Sequence, residues 1–466
     1  MRTLALAVWL AVGCSTVTAQ VDRLELGLRL RTLERHLGTA KDEPRRSAAL
    51  GQLDRAVQAF FRLDTAGVAR AIAAAEEQLL GTEFTPAERF AQSVQLLPAA
   101  RVVDLAASTV QVTLAPAYPS PQPLPTNLRL LVWFDAEAEP RLVVEVAAVP
   151  HAATLSIEGL PAGDHELVWE LAAGDQPVLR RRQGLSLVDD LSSRLAGLEA
   201  ARTDGTETSI EASTLPTLVT MLQTMTSDTR EETVLPGARI LAEAEQLAAA
   251  VRLGTPAAAL AQPGEHWLRV NVGRRGTNLR LLVPAAGEPE AKQPLVLALH
   301  GAGGSENMFF DGYGDGALVR ACAERGWFLA APRSGLLGGT DLPGLVSVLA
   351  ARWPIDTGRV FVVGHSMGAG QAIAAASRTP RAFAAVAALG GGGSVGRNSQ
   401  VASLPFFIGV GSRDFARTGA LALERSLVKA GAPAELREYP NVEHLAIVQF
   451  ALPDLMAFFE RAKPRR

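Results

Sequence analysis

Cysteine is nearly absent from this chain. Its 466 residues include two, Cys14 and Cys322, so no disulfide framework can staple the fold. Cys322 lies in the apolar helical pattern ALVRACAERG and reads as a small buried hydrophobe rather than a reactive thiol. Aromatic residues make up 5% and the six Trp do not cluster, which argues against a carbohydrate-binding surface of stacked rings. Neither sign of charge dominates: the net charge of -3 leaves no basic footprint for nucleic acid. Beyond the first 20 residues there is no long uncharged apolar run, so no transmembrane segment is expected. No His, Cys, Asp or Glu group has metal-ligand spacing, and neither a metal nor a cofactor is implied. A fixed-period repeat is also lacking.

What remains is ordinary material for a folded protein, with 48% hydrophobic and 20% charged residues. The length suits two or three domains. The first 19 residues read as an export signal: Arg2, an apolar run from Leu4 to Val12, and the small-residue site Val17-Thr18-Ala19. A periplasmic or secreted location follows. Lipidation at Cys14 within LAVGC is the alternative.

Residues 20–100 are expected to be helical. DRAVQAFFRLDTAGVARAIAAAEEQLLG places apolar residues at helical spacing, and Thr85-Pro86-Ala87-Glu88 carries a capping residue, a first-turn proline and an early acid. In RLELGLRLRTLERHLG, leucines at helical spacing compete with a short alternating run. Over residues 101–188 the period changes to two, with Pro, Gly and Asp turns, which predicts a small antiparallel β-sandwich similar to an immunoglobulin-like accessory domain. Helical pattern returns over 189–258, so the β module is expected to sit between two helical segments that pack on each other. Gly254-Thr-Pro256 and Gln262-Pro-Gly264 read as a linker. From 264 to 466, after the hairpin-like HWLRVNVG and TNLRLLVPA, short apolar strands alternate with helices. That pattern predicts an α/β fold with a doubly wound, mostly parallel sheet. Its span of about 200 residues is enough for an independent core.

The chemistry sits in this last part. Gly364-His365-Ser366-Met367-Gly368 follows the apolar strand ending at Val363 and precedes a helical pattern, the strand–turn–helix setting of a nucleophilic serine. Glycines on either side remove side chains that would clash in so tight a turn. His300-Gly301-Ala302-Gly303-Gly304 follows another apolar strand, and such a loop can aim backbone N–H groups at a developing oxyanion. The expected donors are Met367 together with Ala302 or Gly303. Asp414 leaves the strand Leu404–Gly411, placed to orient a histidine; His444 is the one histidine of seven that follows it. Phe309, Phe310 and Tyr313, just after the oxyanion loop, are candidates to line a substrate pocket.

The order strand–HGAGG, strand–GHSMG, strand–GSRD, strand–EH resembles the α/β-hydrolase superfamily. TDLPGLVSVLAARWPIDTGRVFVVGHSMGAG is similar to the corresponding stretch of polyhydroxybutyrate-depolymerase and feruloyl-esterase-like secreted esterases, and to prolyl-oligopeptidase-like catalytic domains. The resemblance covers about Glu265 to Arg466. It implies Ser366 as nucleophile, His444 as base, Asp414 as acid, and a serine carboxylesterase acting on a small-molecule or polymer ester. A peptidase or amidase of the prolyl-oligopeptidase type is the second expectation. A non-catalytic envelope binding protein with a degenerate hydrolase domain is the third.

Overall fold

The structure is a computed structural model that describes residues 21–202, 209–227, 231–285, 291–335, 339–396 and 400–465. The expected export signal and Cys14 lie outside the described residues.

Four helices open the described chain: α1 (Arg23–Thr39), α2 (Glu43–Phe61), α3 (Thr65–Leu80) and α4 (Pro86–Gln92). The carboxylates of Asp22, Asp42 and Asp64 cap the first three by accepting first-turn N–H groups. Thr85 and Glu88 form a reciprocal capping box on α4. The alternating leucines of Arg23–Thr39 are helical, with Leu24, Leu33 and Leu37 buried.

Strands β1 (Val94–Pro98), β2 (Val102–Asp104), β3 (Thr109–Pro116), β4 (Leu128–Phe134), β5 (Leu142–Glu145), β6 (His151–Ser156), β7 (Gly163–Ala173) and β8 (Gln176–Val188) follow. They form sheets of order β1-β3-β6 and β2-β8-β7-β4-β5 around one core that includes Val112, Phe134 and Trp169. All pairs are antiparallel except β2 with β8. Strand β1 lies within the region expected to be helical. Its helix stops at Gln92, and Val94–Pro98 pairs with β3, a long-range partner that local pattern does not reveal.

Three further helices are α5 (Leu191–Ala200), α6 (Ile210–Met225) and α7 (Gly237–Leu253). The C-terminal part then runs β9 (Gly264–Val272), β10 (Arg275–Val283), β11 (Gln293–Leu299), α8 (Ala317–Glu324), β12 (Phe328–Pro332), α9 (Leu342–Arg352), β13 (Ile355–His365), α10 (Met367–Arg378), β14 (Ala385–Leu389), β15 (Phe406–Gly411), α11 (Arg417–Lys429), β16 (Ala434–Tyr439) and α12 (Ile447–Arg461). Its eight strands have the order β16-β15-β14-β13-β11-β12-β10-β9. From β16 to β12 neighbours are parallel, and β10 and β9 extend that edge as antiparallel strands.

Alternate side chains of each strand point to opposite faces, and the two cores divide accordingly. Leu295, Leu297, Val360 and Val362 join one, while Val296, Ala298, Phe361 and Val363 join the other. The first core also takes residues of α5–α7, α9, α10 and α11. The second takes α1–α3, α8 and α12. The two helical segments that flank the β-sandwich therefore lie mainly on opposite faces of the sheet instead of forming one helical body, and they meet where Glu232, between α6 and α7, packs on Gly27 and pairs with Arg23 of α1. Each follows its own apolar stripe to a different face of the same sheet.

Candidate active site

The turn between β13 and α10 carries Ser366 at φ 55°, ψ -115°. A Cβ on Gly364 would collide with the carbonyl of Gly368, and one on Gly368 with the carbonyl of Leu299. Glycine at both positions is thus a steric requirement of the packing between β13, α10 and β11. The turn is held further by Ser366 N–H donating to Leu389 O at 2.9 Å.

Three side chains meet at this turn. His444 Nε2 lies 2.9 Å from Ser366 Oγ, and His444 Nδ1 lies 2.8 Å from Asp414 Oδ1. Asp414 follows β15, and its Oδ1 also accepts the N–H of Ala416 at 2.8 Å. His444 sits in the loop between β16 and α12. With its proton on Nδ1, facing a carboxylate, His444 presents a free lone pair to the serine hydroxyl.

Met367 opens α10, so its N–H is among the helix-start donors without an intrahelical acceptor. In the loop after β11, Gly301 N–H donates to Tyr313 Oη at 3.2 Å and Gly304 N–H to Gly301 O at 3.2 Å. Ala302 and Gly303 are the remaining donors of that loop. Gly303 has φ 78°, and a Cβ there would meet the ring of Phe60.

The other two histidines nearby are engaged elsewhere. His365 Nε2 donates to the carbonyl of His444 at 2.8 Å, and its Nδ1 accepts from Tyr313 Oη at 2.8 Å. Burial, aided by the neighbouring His444, holds the His365 imidazole down to about 3, so it stays neutral with the proton on Nε2. Gly301, Tyr313, His365 and the His444 carbonyl thereby form one buried chain of hydrogen bonds. His300 accepts the N–H of Ser334 on Nε2 and faces Gly301 O with Nδ1; burial holds it below the ordinary imidazole value.

A cavity of about 190 Å³ opens on Ser366 and His444. Of the three residues expected to line it, Tyr313 does. Phe309 and Phe310 do not: they are 1% and 3% exposed and belong to the sheet core. The chain makes one π-helical turn at Met308–Gly312, which brings Met308, Asp311 and Gly312 to the cavity and sends the two rings inward. Phe310 packs beneath the guanidinium of Arg280, 4.7 Å from its ring centre. Much of the wall instead comes from α1–α3, including Leu26, Leu30, Leu53, Val57, Phe60 and Ile72. At the rim, Phe415 lies 4.1 Å from the His444 ring and Phe61 lies 5.7 Å from Phe415, measured between ring centres. The adjacent Phe60-Phe61 at the end of an amphipathic helix was the available signal: two large rings that the structure leaves 40% and 53% exposed.

Residues 337–449 match the family described as the dienelactone hydrolase family. The C-terminal part of the chain has the α/β-hydrolase fold. Solved structures similar to this α/β-hydrolase part include a ferulic acid esterase, at 19% identity over 42% of this chain and 96% of that one (TM-score 0.36). A feruloyl esterase module from Clostridium thermocellum matches at 13% identity over 45% and 94% (TM-score 0.38). An S-formylglutathione hydrolase from Agrobacterium tumefaciens matches at 17% over 43% and 95% (TM-score 0.35). The comparison with curated proteins returns no match. Among the described residues no group of three or more His, Cys, Asp or Glu could hold a metal ion, and no helix is long and apolar enough to cross a membrane. Cys322 is fully buried, and burial pushes its thiol up to about 12.

Proposed function

We propose that the protein is an exported serine hydrolase that cleaves a carboxylic ester through an acyl-enzyme on Ser366. The observation that carries this reading is the continuous relay Ser366 Oγ–His444–Asp414, with contacts of 2.9 and 2.8 Å. The match of residues 337–449 to a hydrolase family agrees with it. Export rests on residues 1–19 of the sequence alone.

In this mechanism Ser366 Oγ attacks the ester carbonyl as His444 Nε2 takes its proton. The imidazolium is stabilised by Asp414, which keeps its charge. The oxyanion is met by the N–H of Met367 and by Ala302 or Gly303, aided by the positive end of α10. His444 then returns the proton to the departing alcohol. A water activated by the same imidazole releases the acid and restores Ser366.

The experiment is turnover of p-nitrophenyl acetate and labelling by a fluorophosphonate, in wild type and Ser366→Ala. Wild type should do both and the variant neither, with a loss of at least about a thousandfold in kcat. Wild-type-like turnover in Ser366→Ala would remove the serine from its role. Preference for aminoacyl-naphthylamides over esters would redirect the reading to a peptidase or amidase.

A further inference from the structure

The cavity beside Ser366 is built from two parts of the chain that are far apart in sequence. Its floor is the α/β-hydrolase part: the 301–304 loop, Tyr313, His365, Ser366 and His444. Its wall is the α1–α3 helices, which present Leu26, Leu30, Leu53, Val57, Phe60 and Ile72. None of these six takes part in the Ser–His–Asp relay. The charged side chains that reach the lining are already neutralised: Arg23 pairs with Glu232 at 3.0 Å and Arg31 with Asp311 at 3.7 Å. A charged substrate group entering here would meet apolar side chains and committed ion pairs.

We propose that α1–α3 complete an acyl-binding site, and that the substrate is the ester of an apolar acid with about six to eight carbons. The proposal rests on Ser366 being the nucleophile. Size sets the chain length: an apolar cavity of about 150 Å³ takes up benzene, and this one is about 190 Å³. Orientation follows from the base. The leaving alcohol must take its proton from His444, whose ring is flanked by Phe61 and Phe415, 53% and 62% exposed. The alcohol therefore departs on the exposed side, and the acyl group occupies the apolar side lined by α1–α3. Phe60, packed against Gly303, sets the width of the site at the oxyanion loop.

The test uses the full chain and p-nitrophenyl esters of two to sixteen carbons. Each methylene taken up should raise kcat/KM about fourfold, giving a maximum at six to eight carbons and a fall beyond. Between octyl acetate and methyl octanoate, the octanoate should be preferred. Val57→Phe, which fills the cavity, should lower the octanoate-to-acetate ratio of kcat/KM at least about tenfold. Phe60→Ala removes a half-exposed ring at little risk to folding, and should move the maximum to longer chains. A flat chain-length profile, a preference set by the alcohol, or an unshifted maximum in Phe60→Ala would overturn the acyl site while acetate turnover and fluorophosphonate labelling left Ser366 in place. Absence of both turnover and labelling would overturn the nucleophile and the acyl site together.

Discussion

Ser366 holds a backbone conformation that costs a non-glycine residue about 1–3 kcal/mol, and its neighbours over-determine it. The setting of Ser366 was legible because the motif is short-range: five residues carry the chain from the end of β13 into α10. The meeting of Asp414 and His444 with Ser366 was legible through chain order. Phe309 and Phe310 were misplaced because the π-helical turn at Met308–Gly312, which spacing does not announce, decides which side chains face the cavity. Tyr313 has a further part: its hydroxyl accepts from Gly301 N–H and donates to His365 Nδ1. Tyr313→Phe leaves both partners buried and unsatisfied, so it should cost about 1–3 kcal/mol of stability. It should lower kcat only several-fold, because the relay itself stays intact; denaturant melts with ester kinetics check both. Glu443, next to His444, is fully buried, and burial pushes its carboxyl up to about 7 although the Ala446 and Leu445 N–H groups pull it down. The folded chain then binds more protons than the unfolded one between the ordinary carboxyl value and about 7, so stability falls as pH rises through that window. Glu443→Gln should remove this component. Melting temperatures from pH 4 to 8 should show a shallower decline in the variant than in wild type, and equal slopes would count against the assignment.

At the scale of elements, β13 and α10 meet β11 through backbone rather than side chains. Gly368→Ala would drive a methyl group into the Leu299 carbonyl, and neither β11 nor α10 can retreat, because both are packed in the sheet core. The expected cost is about 1–3 kcal/mol, together with a large loss of turnover as the Ser366 turn shifts. Thermal melts and fluorophosphonate labelling should fall together; a stable variant with full labelling would mean that the turn has slack. Most helices and strands here were readable from period and capping, Thr85–Glu88 being the clearest case. Strand β1 was not, because its five residues gain their partner only when β3 arrives from elsewhere in the sequence. The destination of α1–α3 was not readable either. An apolar stripe states that a helix is covered, and says nothing about which sheet face or which cavity covers it.

The whole molecule bears on the independence of its C-terminal part. The sequence change near residues 254–264 suggests a linker, and the strands and helices after it span enough chain for a core of their own. In the structure that segment is packed: Leu260 is fully buried, its carbonyl accepts from Trp353 Nε1 at 2.9 Å, and Arg352 donates to Ala257 O at 2.8 Å. The sheet that carries the candidate site uses earlier segments on both faces, α1–α3 on one and α5–α7 on the other. Polar ties cross as well. Arg23 donates to Gly303 O at 2.9 Å, Gly314 N–H donates to Glu34 at 3.2 Å, and Gln449 donates to Glu34 O at 2.9 Å. A fragment of residues 260–466 would expose contiguous apolar surface on both sides of the sheet, far beyond what a soluble monomer tolerates. It would also leave the 301–304 loop without Arg23 and Phe60. We therefore expect this fragment to be aggregated or molten, with loose dye-binding surface and no cooperative melt, whereas residues 21–466 melt in one cooperative transition. Differential scanning calorimetry and p-nitrophenyl acetate turnover on the two chains decide it. A fragment that melts cooperatively and hydrolyses acetate at the full-length rate would show that the early helices are an addition to a self-sufficient hydrolase core rather than part of it.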